Sequence, residues 1–451
     1  MFSFLYSETK KTRQDARNWL EVADRVDKFR RDQLTAAQTA KLLAATGEVQ
    51  ARLKDRAEAG QLKSAIEKLE AVLREVGGRV YPLSSMIENV EFFLVAAIVI
   101  LGLRAYFVQP FKIPTNSMWP SYYGMTASEA YQPGKEPGLL RKTLRLATLG
   151  ATNYSVTAPA DGEVMVAVFR SARPAYAEKA GRSLFIFPAS MHEYLFTVGG
   201  ETARLQVPAD FDSEFNSVVE KAFFKDTGIL GAVQNEFTQH RPIERSTILV
   251  RDGANPLEAP IIWVPTGKHV KRGEKLLSFD ILTGDLLFVD RLTYNFIAPQ
   301  VGSGFVFKTE NIRSDQMKDS NGVQISQYYI KRLVGVPGDK LEVRQAKVVG
   351  DGVQPLSNKD GQLYRNGRPI DGAAAFGKNS RKEGIYPGYT AGGLLDFGDV
   401  VEVPGNSYFA MGDNSPLSKD SRYWGFVPDK DVVGRPLFIY YPLTSRWGPA
   451  R

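Results

Sequence analysis

The sequence predicts a mainly β body that carries an inserted β-rich module and is preceded by a helical region and one apolar span. Three observations predict it. Residues 1–76 are rich in Ala, Leu, Glu, Lys, Arg and Gln, with apolar side chains at helical spacing. The stretch "VEFFLVAAIVILGLRAYFVQPF" is the most apolar run of the chain. Beyond it, short runs of β-branched and aromatic residues alternate with Gly, Pro, Asn and Asp, the pattern of strands joined by turns.

In "LKSAIEKLEAVLREV", Ile66, Leu69, Val72 and Leu73 share one helical face, and "GGRVYP" ends that helix. Two or three helices are expected within residues 1–85, with an antiparallel hairpin turning around Thr46-Gly47. A solvated hairpin or coiled coil explains this region, and nothing in it points to chemistry.

From Phe92 to Leu103 the chain is uncharged and mostly aliphatic, and Arg104 is followed by a further apolar stretch, Ala105 to Val108. An unambiguous membrane span needs about 20 apolar residues, so this one is short. Arg104 at its end can snorkel to the headgroups, and Tyr106 and Phe107 suit the interface. The competing reading is a buried core helix, since Glu88 and Glu91 crowd one end. The polar residues before it exclude a cleavable signal, and residues 86–109 are expected to form a single retained anchor. Arg74 and Arg79 before it and Arg104 and Lys112 after it leave orientation open.

The strand candidates that follow are "DLLFVDRLTY", "GFVFKT", "QYYIKRLVGV", "KLEVRQ", "DVVEVP", "SYFAMGD" and "RPLFIYYP", and Asn366-Gly367 in "YRNGRPI" is a strong hairpin signal. Residues 125–280 form a block of their own. Its ends, "VTAPADGEVMVAV" and "IIWVPTGKHVKRGEKLLSFD", resemble the half-motifs of a lipoyl- or biotinyl-type barrel-sandwich module. No lysine sits in a Met-Lys-Met setting, so no attached cofactor is expected, and the block reads as a rigid inserted β module whose protein partners the sequence does not name.

Composition narrows the function classes. The chain has 451 residues, 57 basic against 50 acidic, a net charge of +7 and 43% apolar residues. The charge is dispersed, which suits an anionic lipid surface and gives no nucleic-acid stripe. With no cysteine there is no disulfide framework, thiolate nucleophile or cysteine zinc site.

"IPTNSMWPSYYG", residues 113–124, places Ser117 in a tight proline-flanked segment just past the apolar run. A serine nucleophile needs a base, yet the only histidines are His192, His240 and His269, none in an acid/base setting. The remaining base is a lysine with a lowered pKa. Bringing an amine from about 10.4 to the working range of about 7 to 8 takes burial worth about 4 kcal/mol. In "QYYIKRLVGVPGD", Tyr329, Lys331 and Leu333 share one strand face, with Ile330 and Arg332 on the other. A lone strand lysine is ordinarily a solvated edge residue. The segment "MGDNSPLSKDSRYWGFVP" adds weight. Its Gly412-Asp413-Asn414 turn can lie against that strand, Ser418 offers a hydroxyl to orient an amine, and Asp420 and Arg422 can pair to hold the loop. Otherwise it is a polar turn followed by a core residue, Trp424.

Together the three segments closely resemble bacterial type I signal peptidase, the membrane-bound Ser/Lys protease family. "FKIPTNSMWP" looks like its nucleophile box, "YYIKRLVGVPGD" its lysine box and "GDNSPLSKDSRYWG" its closing box, with "GDLLFVDRLTYNF" and "GSGFVF" similar to the stretch between. The resemblance covers Val90–Thr126 and Ile281–Pro442. It implies a signal-peptidase-like β fold built from residues 110–124 and 281–451. It further implies Ser117 as nucleophile, Lys331 as general base, Ser418 orienting it, and an oxyanion site made by the Ser117 amide and the Thr115 hydroxyl. Met118 is expected to support the nucleophile's backbone from an apolar pocket.

The implied partners are signal-peptide-bearing pre-proteins and a phospholipid membrane, with small pockets for an A-x-A cleavage pattern and no nucleic acid. The implied location is the inner (plasma) membrane, single-pass, with catalysis on the extracytoplasmic face and residues 1–85 inside. Ser121 and Ser303 depart from the family pattern, as do the insert and the helical start. An export-pump adaptor and an inactive peptidase-like scaffold are the competing function classes.

Overall fold

In the computed structural model, apolar side chains spaced three and four apart build three helices: α1 (Glu8–Arg30), α2 (Ala36–Lys54) and α3 (Ala59–Val76). The structure describes residues 8–82, 85–128, 130–132, 135–183, 187–238, 245–251, 257–318, 322–345 and 360–450. These helices share a core of Ala16, Val26, Leu42, Val49, Leu69 and Leu73. The expected turn at Thr46-Gly47 is not there. Both residues lie inside α2, where the Thr46 hydroxyl donates to the Leu42 carbonyl at 2.7 Å. One glycine costs a helix about 1 kcal/mol, too little to break a run of good helix formers. The break comes earlier, where the Thr35 and Gln38 capping box starts α2.

The next helix, α4 (Ser85–Tyr106), contains Asn89–Tyr106, the one stretch among the described residues long and apolar enough to cross a membrane; none of it is buried inside the protein. It ends at Tyr106 rather than at 109. Proline at 110 disfavours helical geometry at Gln109, and the chain turns into a strand at Val108. By compactness the protein divides into Met1–Gly102 and Leu103–Arg451.

The second unit is built on an eight-stranded antiparallel sheet: β1 (Val108–Lys112), β2 (Leu286–Asp290), β3 (Gly304–Lys308), β4 (Tyr328–Gly335), β5 (Ser407–Met411), β6 (Val427–Pro428), β7 (Val432–Tyr441) and β8 (Gly448–Pro449). The order is β1-β2-β7-β3-β4-β5-β6, with β8 beside β7. In register, Lys112 faces Leu286, and Lys331 of β4 faces Phe305 of β3. One face packs Phe305, Phe307, Leu333 and Trp424; the other packs Ile113, Met118, Leu287 and Val306. A smaller five-stranded sheet follows β4 and contains the hairpin at Asn366-Gly367, whose φ values of 53° and 75° are those a tight two-residue turn demands.

Within residues 125–280 the two ends pair with each other. Gly162–Phe169 runs antiparallel to Leu257–Val270, and Thr152–Thr157 to Lys275–Leu282. The first pair belongs to a seven-stranded sheet and the second to a three-stranded one. That arrangement, with α5 (Leu139–Leu149), α6 (Asp212–Phe223) and α7 (Gly228–Thr238) added, does not establish a barrel-sandwich. The middle of the block, between the two half-motifs, supplies the extra strands and helices. Phe211, Phe215 and Val219 from the α6 region close the module's core against Phe279 and Ile281.

Candidate active site

Lys331 lies where β4, an interior strand, passes from its exposed start at Tyr328 into the buried stretch that runs to Gly335. The residue is 4% exposed, and its Nζ donates to the Ser117 Oγ at 2.5 Å. Burial pushes the amine down from the usual 10.5 to about 8; Asp420 and Asp413 act against that shift and Arg422 with it. The Tyr329 ring lies 5.9 Å from the nitrogen, as the shared strand face requires. An amine that is half neutral at that pH and in hydrogen-bond contact with a hydroxyl is equipped to take its proton. His192 and His269 do not line this cleft, and His240 lies outside the described residues.

Ser117 sits in a single 3-10 turn, Asn116–Met118, that follows Pro114. Met118 is fully buried and pins the turn to the core it shares with Ile113 and Leu287. Thr115 borders the cleft, and its side chain makes no capping bond to the turn. Asn116 is the junction. Its Oδ1 accepts from the Gly124 amide at 2.8 Å, its Nδ2 donates to the Met125 carbonyl at 3.1 Å, and its carbonyl accepts from Asn414 Nδ2 at 3.0 Å. The Asn414 amide also donates to the Ser117 carbonyl at 3.1 Å, so the closing segment grips the nucleophile turn twice.

Gly412 makes that grip possible. A Cβ there would stand 2.3 Å from the Ser117 carbonyl oxygen and 2.2 Å from the Ser418 Oγ. Ser418 is therefore next to the turn and buried, but its Oγ has no hydrogen-bond partner among the described residues, and no bond from it orients Lys331 in this state. Its loop is fixed by a fully buried pair: Arg422 Nε donates to Asp420 Oδ1 at 2.8 Å and Arg422 Nη2 to Asp420 Oδ2 at 2.9 Å. The same Nη2 donates to the carbonyls of Ser415 at 2.6 Å and Ser418 at 3.1 Å.

Several residues escaped the sequence reading. On the other face of β4, Arg332 pairs with Asp413 and donates to Ser121 Oγ at 3.1 Å, and Ser121 donates to Asp413. The alternation at "YIKRL" placed Arg332 opposite Lys331 but offered no partner for it. More unexpected is the far wall of the cleft. The cavity, about 340 Å³, is lined on one side by Lys112 to Ser117 and Gln327 to Lys331, and on another by Asp210, Ser213 and Glu214 of the inserted module.

Residues 277–441 match the family described as signal peptidase, peptidase S26, a stretch that holds Lys331 and Ser418 and begins after Ser117. The chain is similar to a probable signal peptidase I-1 of Synechocystis sp., 32% identical over 167 residues, 37% of this chain and 66% of that protein. It is also similar to a signal peptidase I of Bacillus licheniformis, 32% identical over 146 residues, 31% of this chain and 68% of that protein. It thus spans just under two thirds of the length of the Synechocystis relative. A crystal structure of a signal peptidase I from Enterococcus faecalis is 25% identical and aligns over 31% of this chain and 97% of that one, with a TM-score of 0.20.

Proposed function

Since the chain belongs to the signal peptidase I family, we propose that it is a membrane-anchored serine endopeptidase that removes signal peptides from secreted pre-proteins by a Ser117/Lys331 dyad. The observation that supports this most is the 2.5 Å approach of a buried lysine amine to a serine hydroxyl.

In the proposed reaction the neutral Lys331 amine takes the Ser117 proton as the hydroxyl oxygen attacks the scissile carbonyl. The oxyanion is received by the Ser117 amide and the Thr115 hydroxyl, each such donor being worth about 3 kcal/mol in the transition state. As the C–N bond breaks, the Lys331 ammonium returns its proton to the leaving amine, and the new mature N-terminus departs. Water, deprotonated by the same amine, then cleaves the acyl-enzyme. Ser418, with its unpaired hydroxyl beside the turn, orients the amine once substrate closes the cleft; Asp420 and Arg422 hold its loop, and Met118 anchors the turn. Residues 86–106 anchor the chain in the inner membrane, with residues 1–85 inside and the body on the extracytoplasmic face, where signal peptides emerge.

The test is processing of a pre-protein by detergent-solubilised protein. Wild type is expected to cut it at the signal-peptide junction, and Ser117→Ala and Lys331→Ala to leave it intact. Equal processing by all three would reject the dyad.

A further inference from the structure

The inserted module touches the nucleophile turn directly. Glu214 Oε1 accepts a hydrogen bond from Asn116 Nδ2 at 2.7 Å, across 98 positions of sequence. A carboxylate acceptor makes this bond roughly twice as strong as a neutral one. Glu214 is held in place, because its neighbours Phe211 and Phe215 on the same short segment are both fully buried in the module's core. The bond ends on the residue immediately before Ser117. The same Nδ2 also donates to the Met125 carbonyl and Oδ1 accepts from the Gly124 amide, so the side chain that Glu214 holds ties the turn to the far end of its own loop, while the Asn116 backbone carbonyl accepts from Asn414 of the closing segment. Glu214, Ser213 and Asp210 share the cavity with Ser117 and Lys331.

We propose that the inserted module is a working part of the active site and that Glu214 is its positioning residue, holding Asn116 and thereby the angle at which the Ser117 hydroxyl meets Lys331. This rests on the reading of the site as a Ser/Lys peptidase. Glu214 touches neither reacting atom. Its effect runs through the turn, where a displacement of the nucleophile of about 1 Å costs about a hundredfold in rate. Because its hydrogen bond ends on the residue before the nucleophile, the loss is expected to fall on kcat.

The experiment compares full-length wild type, Glu214→Ala, Glu214→Asp and Glu214→Gln in detergent, measuring kcat and KM on one pre-protein, with thermal unfolding as a check on folding. Glu214→Ala is expected to lower kcat about ten- to a hundredfold with KM within about twofold. Glu214→Asp, which keeps the charge but withdraws the carboxylate by one methylene, is expected to lose most of the same activity and stands in if the alanine variant fails to fold. Glu214→Gln keeps an acceptor oxygen in reach and is expected to recover kcat to within about threefold of wild type. An unchanged kcat in the alanine and aspartate variants overturns the proposal, and so does a raised KM with unchanged kcat, which makes Glu214 a substrate contact. Failure of wild type itself to process the pre-protein overturns the peptidase reading instead.

Discussion

Arg332 meets Asp413 side-on in a pair that is 3% and 2% exposed, with Nε to Oδ1 at 2.7 Å and Nη2 to Oδ2 at 2.6 Å. Arg332 also donates to the Gly302 carbonyl at 2.7 Å, and Asn379 donates to the Asp413 carbonyl at 3.0 Å. This pair joins the strand that carries Lys331 to the loop that grips Ser117. Breaking it by removing one partner strands the other charge in a dry site. Arg332→Met is therefore expected to destabilise the body by about 3–5 kcal/mol, read as a lowered denaturant midpoint. A midpoint equal to wild type contradicts the pair's structural role.

Lys331→Arg is expected to be inactive despite keeping length and charge, because a guanidinium does not deprotonate at working pH. For wild type, kcat/KM on a pre-protein is expected to rise through a midpoint near pH 8, as the free enzyme's amine loses its proton. An active arginine variant removes Lys331 from the role of base.

The same amine leaves a mark on stability. Its pKa is about 8 folded against 10.5 for an ordinary lysine, so between those values the unfolded chain holds a proton that the native one has shed. Stability must therefore increase with pH across that window, and the contribution is absent below it. Wild type is expected to gain about 3 kcal/mol relative to Lys331→Met between pH 7.5 and pH 10.5. Parallel stability profiles for the two proteins rule out the lowered pKa.

Gly412→Ala adds a single methyl group that the site cannot take. Of the two atoms it meets, the Ser117 carbonyl oxygen is backbone, so relief requires the nucleophile turn to move. Activity is expected to fall about a hundredfold while the chain still folds. The check is initial rate together with circular dichroism; a fully active alanine variant contradicts the close approach.

Local chemistry made much of this readable in advance. Asn366-Gly367 announces its turn because few residues tolerate positive φ. The strand at Tyr328–Gly335 follows from its β-branched and aromatic run, and Lys331 stands out because the chain offers no suitable histidine. Contacts made by tertiary folding stayed hidden. Glu214 carries no motif, and only the pairing of the module's ends brings α6 to Asn116. Arg332 and Asp413 read as ordinary polar residues because burial, not identity, makes them important. At Thr46-Gly47 a turn-type dipeptide misled, since the helix formers on both sides outweigh one glycine.

The most direct test is the titration of the Lys331 side chain itself, followed by NMR of chain labelled at lysine Cε and assigned by the signal missing from Lys331→Met. A midpoint near pH 8 is predicted. A signal that stays protonated to the ordinary lysine range, near 10.4, would leave Ser117 without a base and contradict the mechanism.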